Sequence, residues 1–195
     1  MTHGFEDMKF ILASSSPRRL ALLTQIGRKP DHVVAADIDE TPHKNEAPRL
    51  HADRLALAKA TIVAATHSAD IVLAADTVVA CGRRILPKAE TEREARDCLA
   101  LLSGRRHQVH GGIVVMARGK VWQRHAMTMV RFKRLTDSEI EAYIASDEWR
   151  GKAGGYAIQG QAAAFVAAIN GSYTNIVGLC LFEADKLLAA ALAAK

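Results

Sequence analysis

Aromatic residues are scarce, at 5% of a 195-residue chain, and no run of Lys or Arg exceeds two residues. The interleaved basic and aromatic surface of a single-strand nucleic-acid binder is therefore missing, and stable nucleic-acid binding is not expected. The three cysteines, Cys81, Cys98 and Cys180, contain no Cys-x-x-Cys pair and leave an odd number, which argues against a disulfide framework or a zinc site. They read as small apolar filler in a reducing compartment. No stretch reaches the ~18 uninterrupted apolar residues of a membrane span, and no secretory apolar segment follows the N-terminus. A cytoplasmic protein with no membrane partner is expected. Pro/Ser linkers, low-complexity tracts and internal repeats are also lacking, so residues 1–195 are expected to form one domain, with residues 1–8 a flexible polar extension.

Hydrophobic residues make up 49% and charged residues 24%, the proportions of a globular domain able to bury a core. The 26 Lys and Arg outnumber the 21 Asp and Glu by five, which points to partners of negative charge. With aromatics so few, small phosphorylated ligands fit that charge better than a polymer does.

Apolar runs alternate with periodic segments from end to end, the pattern of an α/β fold. Lys9 to Ala13 reads as a buried strand, followed by a turn and a helix with Ser16 as N-cap and Pro17 at its first position. Leu20, Leu23 and Ile26 supply its apolar stripe, and Gly27 closes it. A second helix spans about Ala47 to Thr66, with Leu55 and Ile62 two turns apart. Ile71 to Ala75 is apolar throughout, as in a strand covered on both faces.

Capping-box patterns at Thr91 and Thr136 open two further helices. Ile113 to Ala117 and Val121 to Phe132 read as strands joined by Arg118-Gly119-Lys120, with the inward face of the second left open. A Gly-rich loop, a strand near Phe165 to Ile169 and a helix from about Leu181 complete the pattern.

Several segments carry chemistry. Ser14 to Arg19 puts two arginines in the first turn of a helix, where a cation is normally disfavoured by ~0.3–1 kcal/mol. An anion held by the free N–H groups and both guanidinium groups, phosphate above all, would reverse that sign. The alternative is that the arginines point to solvent or pair with nearby carboxylates. Asp76 directly follows the apolar run and is expected at the carboxyl end of its strand, where open α/β sheets bind ligands. It can ligate Mg²⁺ or accept a proton from water, or else cap a turn with Thr77. The cluster Asp37-Ile38-Asp39-Glu40 suits a hard divalent cation, or forms a solvated loop. Lys59 and Lys88 can reach a polyphosphate or snorkel to water.

Gly151 to Gly160 is neither a P-loop nor a Rossmann fingerprint. Its glycines permit close backbone approach to a ligand, and Gln159 brings a donor and an acceptor that can read a base edge. His107 and His110 lie in an extended segment, where positions three apart face opposite ways, so neither is expected to bind metal.

These segments together resemble the Maf (septum-formation inhibitor-like) family of nucleoside triphosphate pyrophosphatases. The likeness runs from Leu12-Ala13-Ser14-Ser15-Ser16-Pro17-Arg18-Arg19 through Asp39-Glu40, Arg54 to Ala60, Ala75-Asp76-Thr77-Val78-Val79 and Leu102-Ser103-Gly104, to Lys152 to Gly160 and Gly171-Ser172-Tyr173. The resemblance implies a two-lobed mixed-sheet fold like that of inosine triphosphate pyrophosphatases, a substrate cleft between the lobes and a homodimer. It implies cleavage of a nucleoside triphosphate between its α and β phosphorus atoms with a divalent cation, Mg²⁺ or Mn²⁺, to clear unwanted or modified nucleotides.

By motif, Asp76 would be the catalytic carboxylate, shared with Glu40 as a metal ligand, and Ser14, Arg18, Arg19, Lys59 and Lys88 would bind phosphates. Arg18, Thr77 and Gln159 resemble the branch acting on dTTP and UTP. The alternatives are the same reaction with another base preference, such as 7-methyl-GTP or CTP, or a nucleotide- or RNA-binding regulator without turnover. Two positions depart from the family pattern: its common Gly-Lys-Pro is Pro87-Lys88-Ala89 here, and Cys180 stands where proline is frequent.

Overall fold

A computed structural model describes residues 8–194. Strand β1 (Phe10–Leu12) leads through a serine turn to helix α1 (Pro17–Gln25), then to β2 (His32–Val33) and the long helix α2 (Pro48–Thr66). Next come β3 (Ile71–Cys81), β4 (Arg84–Leu86), β5 (Lys88–Ala89) and α3 (Glu92–Leu102). The hairpin β6 (Arg106–Ala117) and β7 (Lys120–Phe132) precedes α4 (Asp137–Ala145) and β8 (Lys152–Ala153). A 3₁₀ turn at Gln161–Phe165 enters β9 (Val166–Asn170), followed by α5 (Tyr173–Val177) and α6 (Leu181–Ala193).

The seven-stranded sheet has the order β2-β1-β3-β6-β7-β9, with β4 also on β3, while β5 and β8 form a separate ribbon. Pairing is parallel among β2, β1 and β3 and antiparallel from β3 to β9, so the expected mixed α/β sheet is present. The strands β3, β6 and β7 run through two lobes. In the first, α1 and α6 cover one sheet face around Leu12, Leu73, Ile113 and Leu188, and α2 covers the other around Ile11, Val72 and Ala60. In the second, Leu99 and Leu102 of α3, Tyr143 of α4 and Trp149 from the turn after it pack against Val109, Val130 and Phe132. Among the described residues no helix is long and apolar enough to cross a membrane.

Both capping boxes form, with Thr91 Oγ1 accepting from the Glu94 N–H and Thr136 Oγ1 from the Glu139 N–H, each at 3.3 Å. In β7, Thr128, Val130 and Phe132 face inward, at 0%, 0% and 1% exposure, and Met127 faces out at 47%, which settles the open face.

Other expectations need correction. Helix α1 buries Arg19, Leu22 and Leu23, leaving Ile26 exposed, because the buried side also carries a polar network. Ile62 is 49% exposed, and Leu55, Lys59 and Val63 hold the inner side of α2. Strand β6 begins at Arg106, well before Ile113. Residues 1–7 of the expected extension lie outside the described residues, whereas Met8 packs against the first lobe's core.

His107 and His110 do face opposite ways. His107 sits in the second lobe's core with Nε2 2.8 Å from the Tyr156 hydroxyl, and His110 contacts His125 at 3.1 Å. Burial pushes both imidazoles down from 6.5 to about 4, with His125 adding to the effect at His110. Each folded-state value lies below the unfolded one, so below pH 6.5 the unfolded chain takes up protons that the folded chain refuses. Stability is expected to be fully present above about pH 6.5 and to fall as pH drops toward about 4. Thermal midpoints across that range should slope less in His107→Gln than in the parent protein, and equal slopes would count against this origin.

Candidate active site

Strand β1 leaves the sheet at Ala13, and its place beside β3 stays open for several residues. It pairs β3 at Ile71 to Leu73, and β4 pairs the same edge at Val79 to Cys81. Asp76 lies between these stretches, on an edge that neither strand covers. The sequence placed it at a strand end. Strand β3 instead continues through Thr77, Val78 and Val79, whose branched side chains favour extended structure and pair with β6, so Asp76 is mid-strand. The ligand gap arises because its neighbours end, not because β3 does.

The serine turn fills one side of that gap. Ser14 is buried, and its Oγ accepts from the Ser16 N–H at 3.2 Å and from Arg19 Nη1 at 3.1 Å. Ser16 holds the N-cap position without a side-chain cap bond. Arg18 Nε donates to the Val177 carbonyl at 3.2 Å, and Arg19 Nε to the Gly178 carbonyl at 2.8 Å. The electropositive start of α1 is thus offset by the carbonyl end of α5, an arrangement that neither sequence alternative foresaw. Arg19 Nη2 also donates to Thr77 Oγ1 at 3.2 Å, and Thr77 donates to Gly178 O at 3.2 Å. Burial lowers the pKa of both guanidinium groups, and Asp76 opposes that shift at Arg19. A guanidinium stays charged in proteins regardless, so the cleft wall carries two oriented cations.

Helix α2 supplies the opposite side. Lys59, 6% exposed, places Nζ 2.6 Å from Asp76 Oδ1 and 2.5 Å from Glu40 Oε1. The helix comes this close because Gly112 is the residue paired with Asp76, and a Cβ there would lie 2.3 Å from the Ala52 carbonyl oxygen. Of the acidic cluster, only Glu40 has its carboxylate tied to Lys59 and Lys88, while Asp39 accepts from the Thr41 N–H at 2.8 Å and shapes the turn. Burial raises the Glu40 pKa, but hydrogen bonds from Lys59 and Lys88 outweigh it and bring the carboxyl down to about 2. Lys88 reaches Glu40 from the second lobe, so the Pro87-Lys88-Ala89 departure does not carry the lysine away from the cleft.

The Gly-rich segment forms the far wall. Gly154 and Gly155 have φ of 70° and 68°, which glycine adopts without strain, and this lays the loop on Val79 and on Ala95 and Cys98 of α3. Gln159 emerges exposed at the rim. The resulting cleft, about 320 Å³, is lined by Ser14, Arg18, Arg19, Glu40, Lys59, Asp76, Thr77, Lys88 and Gln159, every site residue read from the sequence.

It is also lined by Lys152, Glu90 and Tyr156, which sequence reasoning did not single out. Lys152 is half-buried, with its pKa lowered by burial and then by the charge of Arg18. A cation inside a glycine-rich segment was the signal available for it. Of the cysteines, Cys98 and Cys180 are buried and all three are free. Cys180 is the N-cap of α6 and packs in the first lobe's core.

Among the described residues no group of three or more His, Cys, Asp or Glu is disposed to hold a metal. The oxygens of Asp76 and Glu40 nevertheless converge on one point, marked by the Lys59 ammonium. Mg²⁺ is commonly held by one or two carboxylates together with substrate phosphates, so this pair fits an ion that arrives with its nucleotide.

Among solved structures, the chain is similar to the Ham1 protein of Staphylococcus aureus, with a TM-score of 0.45 and 16% identity, covering 63% of this chain and 71% of that one. Sequence relatives are much nearer. The dTTP/UTP pyrophosphatase of Paramagnetospirillum magneticum is 62% identical over 179 residues, which are 91% of this chain and 94% of that protein. The proteins of the same name from Caulobacter vibrioides and Rhodospirillum rubrum are 58% and 57% identical, over 91% and 92% of this chain and 93% and 86% of theirs. The Maf-like protein family model matches residues 9–191, from β1 to α6 and across every cleft residue, and the chain belongs to that family.

Proposed function

We propose that this chain hydrolyses nucleoside triphosphates, dTTP and UTP foremost, to the monophosphate and pyrophosphate. The observation that carries the reading is a buried carboxylate, Asp76, on the uncovered edge of β3, facing a cleft walled by Arg18, Arg19, Lys59, Lys88 and Lys152. The near relatives bearing the name dTTP/UTP pyrophosphatase support it.

Such a reaction needs a water in line with the α-phosphorus and a counter-charge for the leaving pyrophosphate. The guanidinium groups of Arg18 and Arg19 are held in place by carbonyls before substrate arrives, so their electrostatic work costs little reorganisation. Lys88 and Lys152 approach the polyphosphate from the second lobe. Asp76, whose Oδ1 is held by Lys59 before substrate arrives, takes the proton from water with a carboxylate oxygen. A divalent cation on Asp76 and Glu40 would lower the pKa of a bound water and neutralise phosphate charge. The whole chain works as one unit, a cytoplasmic homodimer in this reading.

Gln159 at the rim offers an adjacent donor and acceptor. Thymine and uracil present an N–H beside a carbonyl, to which that amide is complementary, whereas cytosine presents an amino donor where they present the carbonyl. The test is a panel of dTTP, UTP, CTP and 7-methyl-GTP with Mg²⁺ or Mn²⁺, scoring pyrophosphate apart from orthophosphate, on the parent protein and on Gln159→Ala. Pyrophosphate should come chiefly from dTTP and UTP, and Gln159→Ala should flatten the ranking more than it slows turnover. Orthophosphate alone, or no product, would overturn the proposal, and an unchanged ranking would remove Gln159 from base selection.

A further inference from the structure

Lys59 does something that phosphate binding does not require. Its ammonium is buried between Glu40, from the loop after β2, and Asp76, from mid-β3, at 2.5 and 2.6 Å. These carboxylates come from distant parts of the chain and repel each other across a partly water-excluded space. One ammonium shared between them offsets that repulsion and fixes their separation. Glu40 uses its second oxygen on Lys88, so the same carboxylate also ties the first lobe to the second.

A divalent ion binding to this pair would have to share two negative charges with an ammonium already in contact with both. With Lys88 already on Glu40, this makes four positive charges against two negative ones within a few ångströms, which disfavours that state. A polyphosphate changes the balance, because it gives the ammonium of Lys59 another anion to approach and leaves the carboxylates to the metal.

We propose, building on the reaction assigned above, that Lys59 is the resident cation of the site. It holds Asp76 and Glu40 together in place of a divalent ion and yields them only when a polyphosphate arrives. The metal then enters with the nucleotide and not before it. Lys88 is released from Glu40 by the same event, so charge exchange and the grip of the second lobe on substrate occur together.

The full-length chain is titrated with Mn²⁺ alone, free ion being followed by its paramagnetic resonance signal, in the parent protein and in Lys59→Met. Removing the ammonium should tighten Mn²⁺ binding at least ~10-fold, a conservative figure for deleting a unit charge at contact distance. Adding Asp76→Asn to Lys59→Met should abolish the gain, which assigns the ion to this site. Lys59→Gln, neutral but still able to donate to one carboxylate, repeats the comparison if the methionine variant does not fold.

Binding of Mn²⁺ no tighter in the neutral variants than in the parent protein would overturn the proposal. Pyrophosphate release from dTTP by the parent protein is scored separately. Its absence would remove the assigned reaction, and is thereby told apart from a failure of the charge exchange, which the Mn²⁺ comparison reads on its own.

Discussion

Asp76→Asn is expected to fold normally and to lose at least ~10²-fold in turnover, the lower scale of a general acid or base contribution. The substitution keeps the shape of the side chain in the centre of β3, where its backbone pairs with Gly112. The amide oxygen can still accept from Lys59, and Glu40 continues to neutralise that ammonium, so no unpaired charge is left buried. What disappears is the carboxylate's basicity and half of the anionic pair that fits a divalent ion. Circular dichroism with pyrophosphate release measures the two parts of the claim separately. Near-normal turnover in a folded variant would move Asp76 out of the centre of the reaction.

Gly112→Ala is expected to disrupt the first lobe despite its small size. The added methyl would lie 2.3 Å from the Ala52 carbonyl oxygen, 2.7 Å from its carbon and 3.0 Å from Asp53 Cα. All three are backbone atoms of α2, so no side-chain rotation relieves the clash and the helix itself has to move. Overpacking of this kind costs about 1–3 kcal/mol. The cost should appear as a lower denaturation midpoint.

Because α2 carries Lys59, the displacement should also loosen its contacts with Asp76 and Glu40 and weaken nucleotide binding. An unchanged midpoint with unchanged KM would show that α2 has room to spare over the sheet. Neither outcome could be anticipated from the glycine's neighbours in sequence, since Ala52 lies far away along the chain.

Local signals were read correctly where they are local by nature. The capping boxes at Thr91 and Thr136 form because side chain and amide lie within one turn of each other. The start of α1 at Pro17 follows from proline's fixed backbone angle and missing N–H. Periodicity failed where a helix is apolar on more than one side: in α2, Leu50, Leu57 and Ile62 are all exposed, and nothing in the repeat separates them from Leu55 and Val63. The position of Asp76 failed for another reason. A strand's end depends on when its partners stop, and β1 and β4 are set by other stretches of chain.

The sequence by itself determined the family, the identities of the cleft's charged side chains and the chemistry open to them, because long ordered motifs and residue types are written in one dimension. Tertiary structure alone decided the pairings. It turned Arg18 and Arg19 to carbonyls 159 residues away, set Lys59 between Asp76 and Glu40, and brought Lys152 into the cleft. The reason is physical: charge and hydrogen-bonding energies fall steeply with distance and depend on burial, and neither quantity exists until the chain has folded.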